Sequence, residues 1–252
     1  MIKNELLIDS SGYVLNFIEK ILDANIEIKG IQNIPKDHPC IFVSNHFTRI
    51  EALLVPYALY GITNNKVGVI ADDALFNTAI GSFIKNLGAL KKSDPCRNNL
   101  MLGGLLTKTQ DWLIFPEGRM VKAKDITKDQ EHYCVNIDDA CQKVYTGAAF
   151  FALNSQLLRK NYLNKNIKNI KKFKRKYFIN NKSSICKNET KIVPINISYS
   201  KLRKGDNFLM TMVDKLFDDM GENFKEELEI ESNIIINSTI TINILEPIST
   251  ND

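Results

Sequence analysis

The segment Ser44-Asn45-His46-Phe47-Thr48-Arg49-Ile50-Glu51 sets an imidazole and a carboxylate five positions apart, just after the apolar run Cys40-Ile41-Phe42-Val43. A histidine paired with a carboxylate is the smallest general base. The ring removes a proton from an attacking hydroxyl, and the carboxylate fixes the tautomer and stabilises the imidazolium that forms. On one continuous helix, residues five apart differ by about 140° and share no face. His46 is therefore expected in a loop, with Glu51 in the first turns of the next helix and folded back toward it. Thr48-x-x-Glu51 is also a capping box, in which Glu51 accepts from the backbone N–H of Thr48. From these residues alone both readings stand. No serine or cysteine stands in a nucleophile motif of its own, which favours direct transfer over a covalent intermediate.

About seventy residues downstream, Phe115-Pro116-Glu117-Gly118-Arg119 follows a second apolar run, Trp112-Leu113-Ile114. Glycine lets a backbone come close to a ligand. Exposed N–H groups together with Arg119 suit an oxyanion or a phosphate. Taken alone, the segment also reads as an ordinary strand-to-loop turn. Two polar constellations at strand exits read as one site, because open α/β sheets bind ligands beyond the carboxyl ends of their strands.

The elements that must carry these residues alternate. Strands are expected over 26–31, 40–44, 67–71, 87–90 and 111–115. Helical patterns occupy 48–60, 73–87 and 97–108, with Pro56 expected to kink or end the first of these. Residues 120–138 read as polar and irregular, and 145–153 as a glycine-led helix. A strand resumes over 192–199, an acidic helix spans 213–229, and a last strand spans 234–245. This order predicts an α/β fold, a single domain with a largely parallel or mixed central sheet flanked by helices. Residues 1–25 are expected to form an N-terminal amphipathic helical segment, with Val14, Leu15, Ile18, Ile21 and Leu22 on one face that packs on the core or lies on a bilayer.

With 252 residues, 44% of them hydrophobic, the chain can bury a full core without staples. Five cysteines without a C-x-x-C pair argue for reduced thiols in a cytosolic setting, and three histidines leave little material for a metal centre. No apolar run approaches ~18 residues, so no spanning helix is expected. Acidic Glu5 and Asp9 speak against a signal peptide. Between Arg159 and Lys191, twelve Lys/Arg face the single acid Glu189, a local balance of +11 against +4 for the whole chain. The positive charge is thus concentrated in one insertion, which suits an anionic membrane surface, an acidic carrier protein, or simply a solvated loop.

In order along the chain, Asn45-His46-x-x-x-x-Glu51, Phe115-Pro116-Glu117-Gly118, Gly147-Ala148-Ala149 and Val193-Pro194-Ile195 resemble the block pattern of the glycerolipid acyltransferases, whose best-known members are the lysophosphatidate acyltransferases. The likeness runs from about Ile26 to Ile248, which implies an acyltransferase domain over 26–252 with a basic insertion at about 159–191. It implies that His46 deprotonates the acceptor hydroxyl, that Glu51 orients it where the family norm is Asp, and that Glu117, Gly118 and Arg119 hold the acceptor phosphate or the developing oxyanion. The family places an arginine in its second block. Here Gly88-Ala89-Leu90-Lys91-Lys92 ends in lysines, so Lys92 or Arg97 takes that role, without the bidentate fork in the case of lysine.

The implied co-substrate is an acyl thioester of coenzyme A or acyl carrier protein, with no metal and no other cofactor. The implied acceptor is a lysophospholipid, and the implied location is peripheral, on the cytoplasmic face of a membrane. Two other classes remain. One is a catalytically silent lipid-binding relative, suggested by Glu51 and by the missing arginine. The other is a nucleic-acid binder that uses Phe173 and Tyr177 among the lysines; no known module surrounds that tract, so no nucleic-acid partner is expected.

Overall fold

A computed structural model describes residues 24–77, 81–86, 88–120, 126–129, 132–137, 140–200 and 238–251. The amphipathic segment expected over 1–25 and the acidic helix expected over 213–229 fall almost wholly outside them. The strands of the main sheet are β1 (Asn25–Lys29), β2 (Cys40–Ser44), β3 (Lys66–Ala71), β4 (Leu90–Lys91), β5 (Gln110–Ile114), β9 (Lys191–Ser200) and β10 (Thr239–Ile244). Their order is β1-β10-β9-β2-β5-β3-β4. β9, β2, β5, β3 and β4 run in one direction, whereas β10 is antiparallel to β9 and carries β1 parallel to itself. The expected α/β fold with a mostly parallel sheet is the one observed, and five carboxyl ends share one edge.

Helices cover both faces, so the central strands read as unbroken apolar runs. Within β2, Ile41 and Phe42 point to opposite sides, as do Trp112 and Leu113 in β5. Phe42 and Leu113 meet Leu54, Val55, Ala58 and Leu59 of α1 (Glu51–Thr63). Ile41 and Trp112 meet Met101 and Leu105 of α3 (Arg97–Thr107) and Phe151 and Ala152 of α4 (Gly147–Leu163). A short α2 (Gly81–Asn86) follows a 3-10 turn at Asp73–Asn77, in place of the single helix expected over 73–87.

The helix α1 does not end at Pro56; it runs through that residue to Thr63. An internal proline costs a helix about 3 kcal/mol. Pro56 is itself buried between Val55 and Tyr57, and burying Leu54, Val55 and Leu59 at about 1.5–3 kcal/mol each offsets the cost.

The stretch expected to be irregular instead forms a second, antiparallel sheet of β6 (Ile126–Asp129), β7 (His132–Ile137) and β8 (Ala140–Lys143). Its apolar alternation is masked because Thr127, Lys128 and Tyr133 are exposed, while Cys134 and Val135 are buried side by side in sequence. Cys134 and Cys141 are joined as a disulfide across the β7–β8 hairpin, with Cα atoms 5.3 Å apart, so the expectation of five reduced thiols is corrected for this pair. Cys40, Cys96 and Cys186 are free.

The basic insertion is folded into the core. α4 runs into it, α5 (Ile170–Lys176) follows, and Phe173, Tyr177, Ile179 and Ile185 bury against α3. Phe173 and Tyr177 face inward and offer no stacking surface. Arg159, which sequence counts as surface charge, is fully buried. Its guanidinium donates to Gln156 Oε1 (2.7 Å), Cys186 O (2.9 Å), Leu105 O (3.0 Å) and Thr190 Oγ1 (3.3 Å).

Candidate active site

Strand register places the two constellations together. β2 and β5 are parallel neighbours, with Val43 opposite Ile114 at the last pair. Adjacent strands lie about 4.8 Å apart, so the residues that leave them next emerge side by side. The His46 ring stacks on Phe115, with centroids 4.1 Å apart and planes 19° apart. On the other flank of β2, the Asn45 side chain donates to Ile197 O (3.0 Å) and accepts from the Ile197 N–H (2.7 Å). That amide extends the β2–β9 ladder beyond its last pair, Ser44 with Ile195, and fixes the direction in which His46 leaves the sheet.

Glu51 opens α1, and its side chain is wholly buried while His46 keeps 16% of its side-chain surface exposed. His46 Nδ1 lies 3.1 Å from Glu51 Oε2, and the same oxygen accepts the Phe47 N–H at 2.6 Å. The other oxygen accepts from the Tyr199 hydroxyl at 2.8 Å. Of the two readings the spacing allowed, the orienting one is met: the helix is capped at Ile50 without a side-chain bond, and the N–H that Glu51 accepts belongs to Phe47, in the loop before the cap, and not to Thr48. A carboxylate can only accept, so in the neutral ring the proton sits on Nδ1 and Nε2 keeps its lone pair. The amino end of α1 also favours the negative charge.

The second loop is shaped by the small sheet. The Gly118 N–H closes a turn onto Phe115 O (3.0 Å), and Gly118 has φ +69°. A Cβ there would lie 2.5 Å from the Tyr145 ring. Just beyond β8, the Tyr145 N–H donates to Pro116 O (2.8 Å), and Gln142 Nε2 donates to Glu117 O (3.2 Å). Burial raises the Glu117 pKa, opposed by its own N–H, by the N–H of His46 and by the His46 charge. Its Oε2 is buried with no hydrogen-bond partner among the described residues. Gly118 and Arg119 are exposed beside it.

Lys92 and Arg97 lie on the same sheet edge but farther along. Lys92 continues the β3–β4 ladder by donating to Ala71 O (3.0 Å), and Arg97 Nη1 donates to Lys92 O (2.9 Å). β3 separates β4 from β5, so the backbone at Lys92 leaves the sheet two strand spacings, about 10 Å, from the backbone that leads into the Glu117 turn. Among the described residues no hydrogen bond or ion pair joins them to His46 or Glu117. The structure thus gathers His46, Glu51, Glu117, Gly118 and Arg119, with Lys92 and Arg97 as a separate pair. Among the described residues, no group of three His, Cys, Asp or Glu side chains is placed to hold a metal ion. Two cavities, of about 290 and 400 Å³, lie elsewhere and are lined by neither His46 nor Glu117.

Residues 25–198 match the profile of the acyltransferase family. The chain belongs to the acyltransferase family. A lyso-glycine lipid O-acyltransferase of Phocaeicola vulgatus is 37% identical to this acyltransferase over 79 residues, 29% of this chain and 28% of that protein. The matched stretch thus covers little more than a quarter of that relative's length. The crystal structure of the 1-acyl-sn-glycerophosphate acyltransferase PlsC from Thermotoga maritima aligns over 96% of this chain and 72% of that one, at 15% identity and a TM-score of 0.44. The resemblance to glycerolipid acyltransferases read from the ordered blocks is met at the level of the family.

Sequence reasoning about this acyltransferase missed Tyr199, the lock of Asn45 on Ile197, and the support given by Gln142 and Tyr145. Asn45 precedes the histidine at a strand exit, where an amide able to extend a ladder is a usable signal. Tyr199 carried none, because its partner Glu51 lies 148 positions away.

Proposed function

We propose that this acyltransferase moves a fatty acyl group from a thioester of coenzyme A or acyl carrier protein to the hydroxyl of a lysophospholipid such as 1-acylglycerol 3-phosphate, with His46 as general base. The observation that carries this reading is the 3.1 Å pairing of His46 with the buried Glu51 beside the Glu117 turn. Nε2 takes the hydroxyl proton as the oxygen attacks the thioester carbonyl. Glu51 stabilises the imidazolium, and the turn at 117–119 holds developing negative charge or the acceptor headgroup. Collapse of the tetrahedral intermediate expels the thiolate, which takes the proton back from the imidazolium. A thioester is already activated, so this route needs neither ATP nor a metal.

A peripheral place on an anionic membrane is part of the same proposal. Along α4, Phe150, Leu153 and Leu157 are each at least half exposed and lie on the face opposite Phe151, Ala152 and Ser155. Lys160 continues that exposed face, and Lys165 and Lys168 follow it. An apolar stripe ending in lysines suits a bilayer with anionic headgroups. No helix among the described residues is long and apolar enough to cross a membrane.

The test is transfer from labelled acyl thioesters to a panel of acceptors that includes lysophosphatidate and, in view of the relative's named substrate, lyso-glycine lipid. The wild-type chain is expected to acylate at least one acceptor, and His46→Ala to lose about 10²–10⁴ in rate. Equal turnover by the variant would refute the assignment of the base.

A further inference from the structure

We infer that Tyr199 is a positioning residue of this site, holding the glutamate at position 51 in the one orientation that fixes the His46 tautomer. The inference rests on the reading of His46 as general base. Tyr199 stands near the carboxyl end of β9, the strand beside β2, two residues beyond the Ile197 peptide that Asn45 grips. Its ring lies 5.7 Å from that of Phe47, so the side chain is held by packing before its hydroxyl makes any bond.

Proton counting gives the network a direction. Glu51 Oε1 is 2.8 Å from the Tyr199 hydroxyl and can only accept, so Tyr199 donates. The Thr48 hydroxyl, 2.9 Å from the same tyrosine oxygen, must then donate to Tyr199. Thr48 is fully buried, so this hydroxyl has no bulk water to turn toward. Thr48 gives to Tyr199, Tyr199 gives to Oε1, and Phe47 N–H and His46 Nδ1–H give to Oε2.

Both carboxylate oxygens are thereby spoken for. A glutamate has one more rotatable bond than an aspartate, and a carboxylate held by one oxygen can swing about it. Tyr199 holds the second oxygen and removes that swing. The tyrosine thus supplies what the longer side chain lacks, and it acts on the reaction only through Glu51.

The experiment combines two readouts on the 252-residue chain. The first is nitrogen-15 NMR of histidine-labelled protein, with the His46 signals assigned by comparison with His46→Ala. In wild type the neutral ring is expected as the Nδ1–H tautomer, and in Tyr199→Phe as a mixture of both. The second is a kinetic cycle of Tyr199→Phe, Glu51→Asp and the double variant. Tyr199→Phe is expected to lower kcat about tenfold with KM unchanged. Glu51→Asp, whose shorter arm cannot keep both contacts, should cost less when combined with Tyr199→Phe than in wild type.

An unchanged tautomer in Tyr199→Phe, an unchanged kcat, or effects that simply multiply would each overturn the inference. If Tyr199→Phe fails to fold, Thr48→Val is used in its place. It removes only the donor behind the tyrosine and is expected to shift the tautomer in the same direction by less; no shift would again overturn it. If wild type acylates no acceptor, the functional reading has failed, and the tautomer comparison alone decides whether Tyr199 orients Glu51 and His46.

Discussion

The imidazole of His46 lies nearly parallel to the Phe115 ring, at a centroid distance of 4.1 Å, although the two residues come from different strand exits. Glu51 sets the tautomer of the ring, and Phe115 supports its flat face. Replacing Phe115 by Leu keeps an apolar wall but loses the stack, worth about 1 kcal/mol. The expected result is a kcat lowered about tenfold, since a misaimed base costs rate more than binding. Steady-state kinetics with acceptor and donor varied separately would check it, and a variant defective only in KM would contradict it.

Gly118 is the position where the second loop has the least tolerance. Its φ of +69° costs an alanine about 1–2 kcal/mol, and the new methyl would also meet the Tyr145 ring. Gly118→Ala should lower both the melting temperature and turnover, because the turn that carries Glu117 must shift. Gly147→Ala is the control: a methyl there meets nothing within 4 Å, and neither quantity should fall. Thermal melts and transfer assays on both variants decide.

A pH effect on stability follows from Asp111, at the far end of β5 from the site. Its carboxylate is 3% exposed and accepts from the Cys40 N–H and from Asn65 Nδ2, both at 2.8 Å. Burial pushes its pKa from the ordinary 3.8 up to about 6, against the pull of those two hydrogen bonds and of Lys108. Between these values the unfolded chain releases a proton that the folded chain keeps. Stability is therefore greatest below pH 4 as far as this group is concerned, and falls by about 3 kcal/mol as pH rises through 6. Denaturant titrations at intervals from pH 4 to 7 should show that slope in wild type and not in Asp111→Asn.

The stripe on α4 gives a prediction about location. Changing Phe150, Leu153 and Leu157 together to Ser should weaken sedimentation with phosphatidylglycerol vesicles by about tenfold or more, from the loss of buried apolar area. Turnover of a short-chain acceptor in free solution should persist. Undiminished vesicle binding would remove α4 from the membrane face.

Some of this architecture was readable in advance and some was not, for identifiable reasons. β2 and β5 announce themselves because both faces of the sheet are covered and their residues are apolar without interruption. His46 and Glu51 are near in sequence, so their pairing was one of the two readings, relay or capping box, that the local spacing allowed. The small sheet hid because Thr127, Lys128 and Tyr133 stand in solvent, leaving no alternation to detect. Cys134 and Cys141 hid in an odd cysteine count. Arg159 looked like one charge among twelve, since composition carries no information on depth.

The burial of Arg159 has a practical consequence for anyone who wishes to trim this chain. Its guanidinium gathers the end of α3, the body of α4 and the strand-bound stretch at Cys186 and Thr190 around one point. Excising the lysine-rich stretch between α4 and β9 would strip away the Cys186 carbonyl together with the aromatic plug of Phe173 and Tyr177. Arg159 would keep Gln156 and Leu105 but lose acceptors in the interior, and each hydrogen bond lost to a buried charge costs about 1.5–3 kcal/mol, a large part of the margin of a typical domain. The role of the surface lysines is therefore to be probed by neutralising them one by one, never by cutting the loop out.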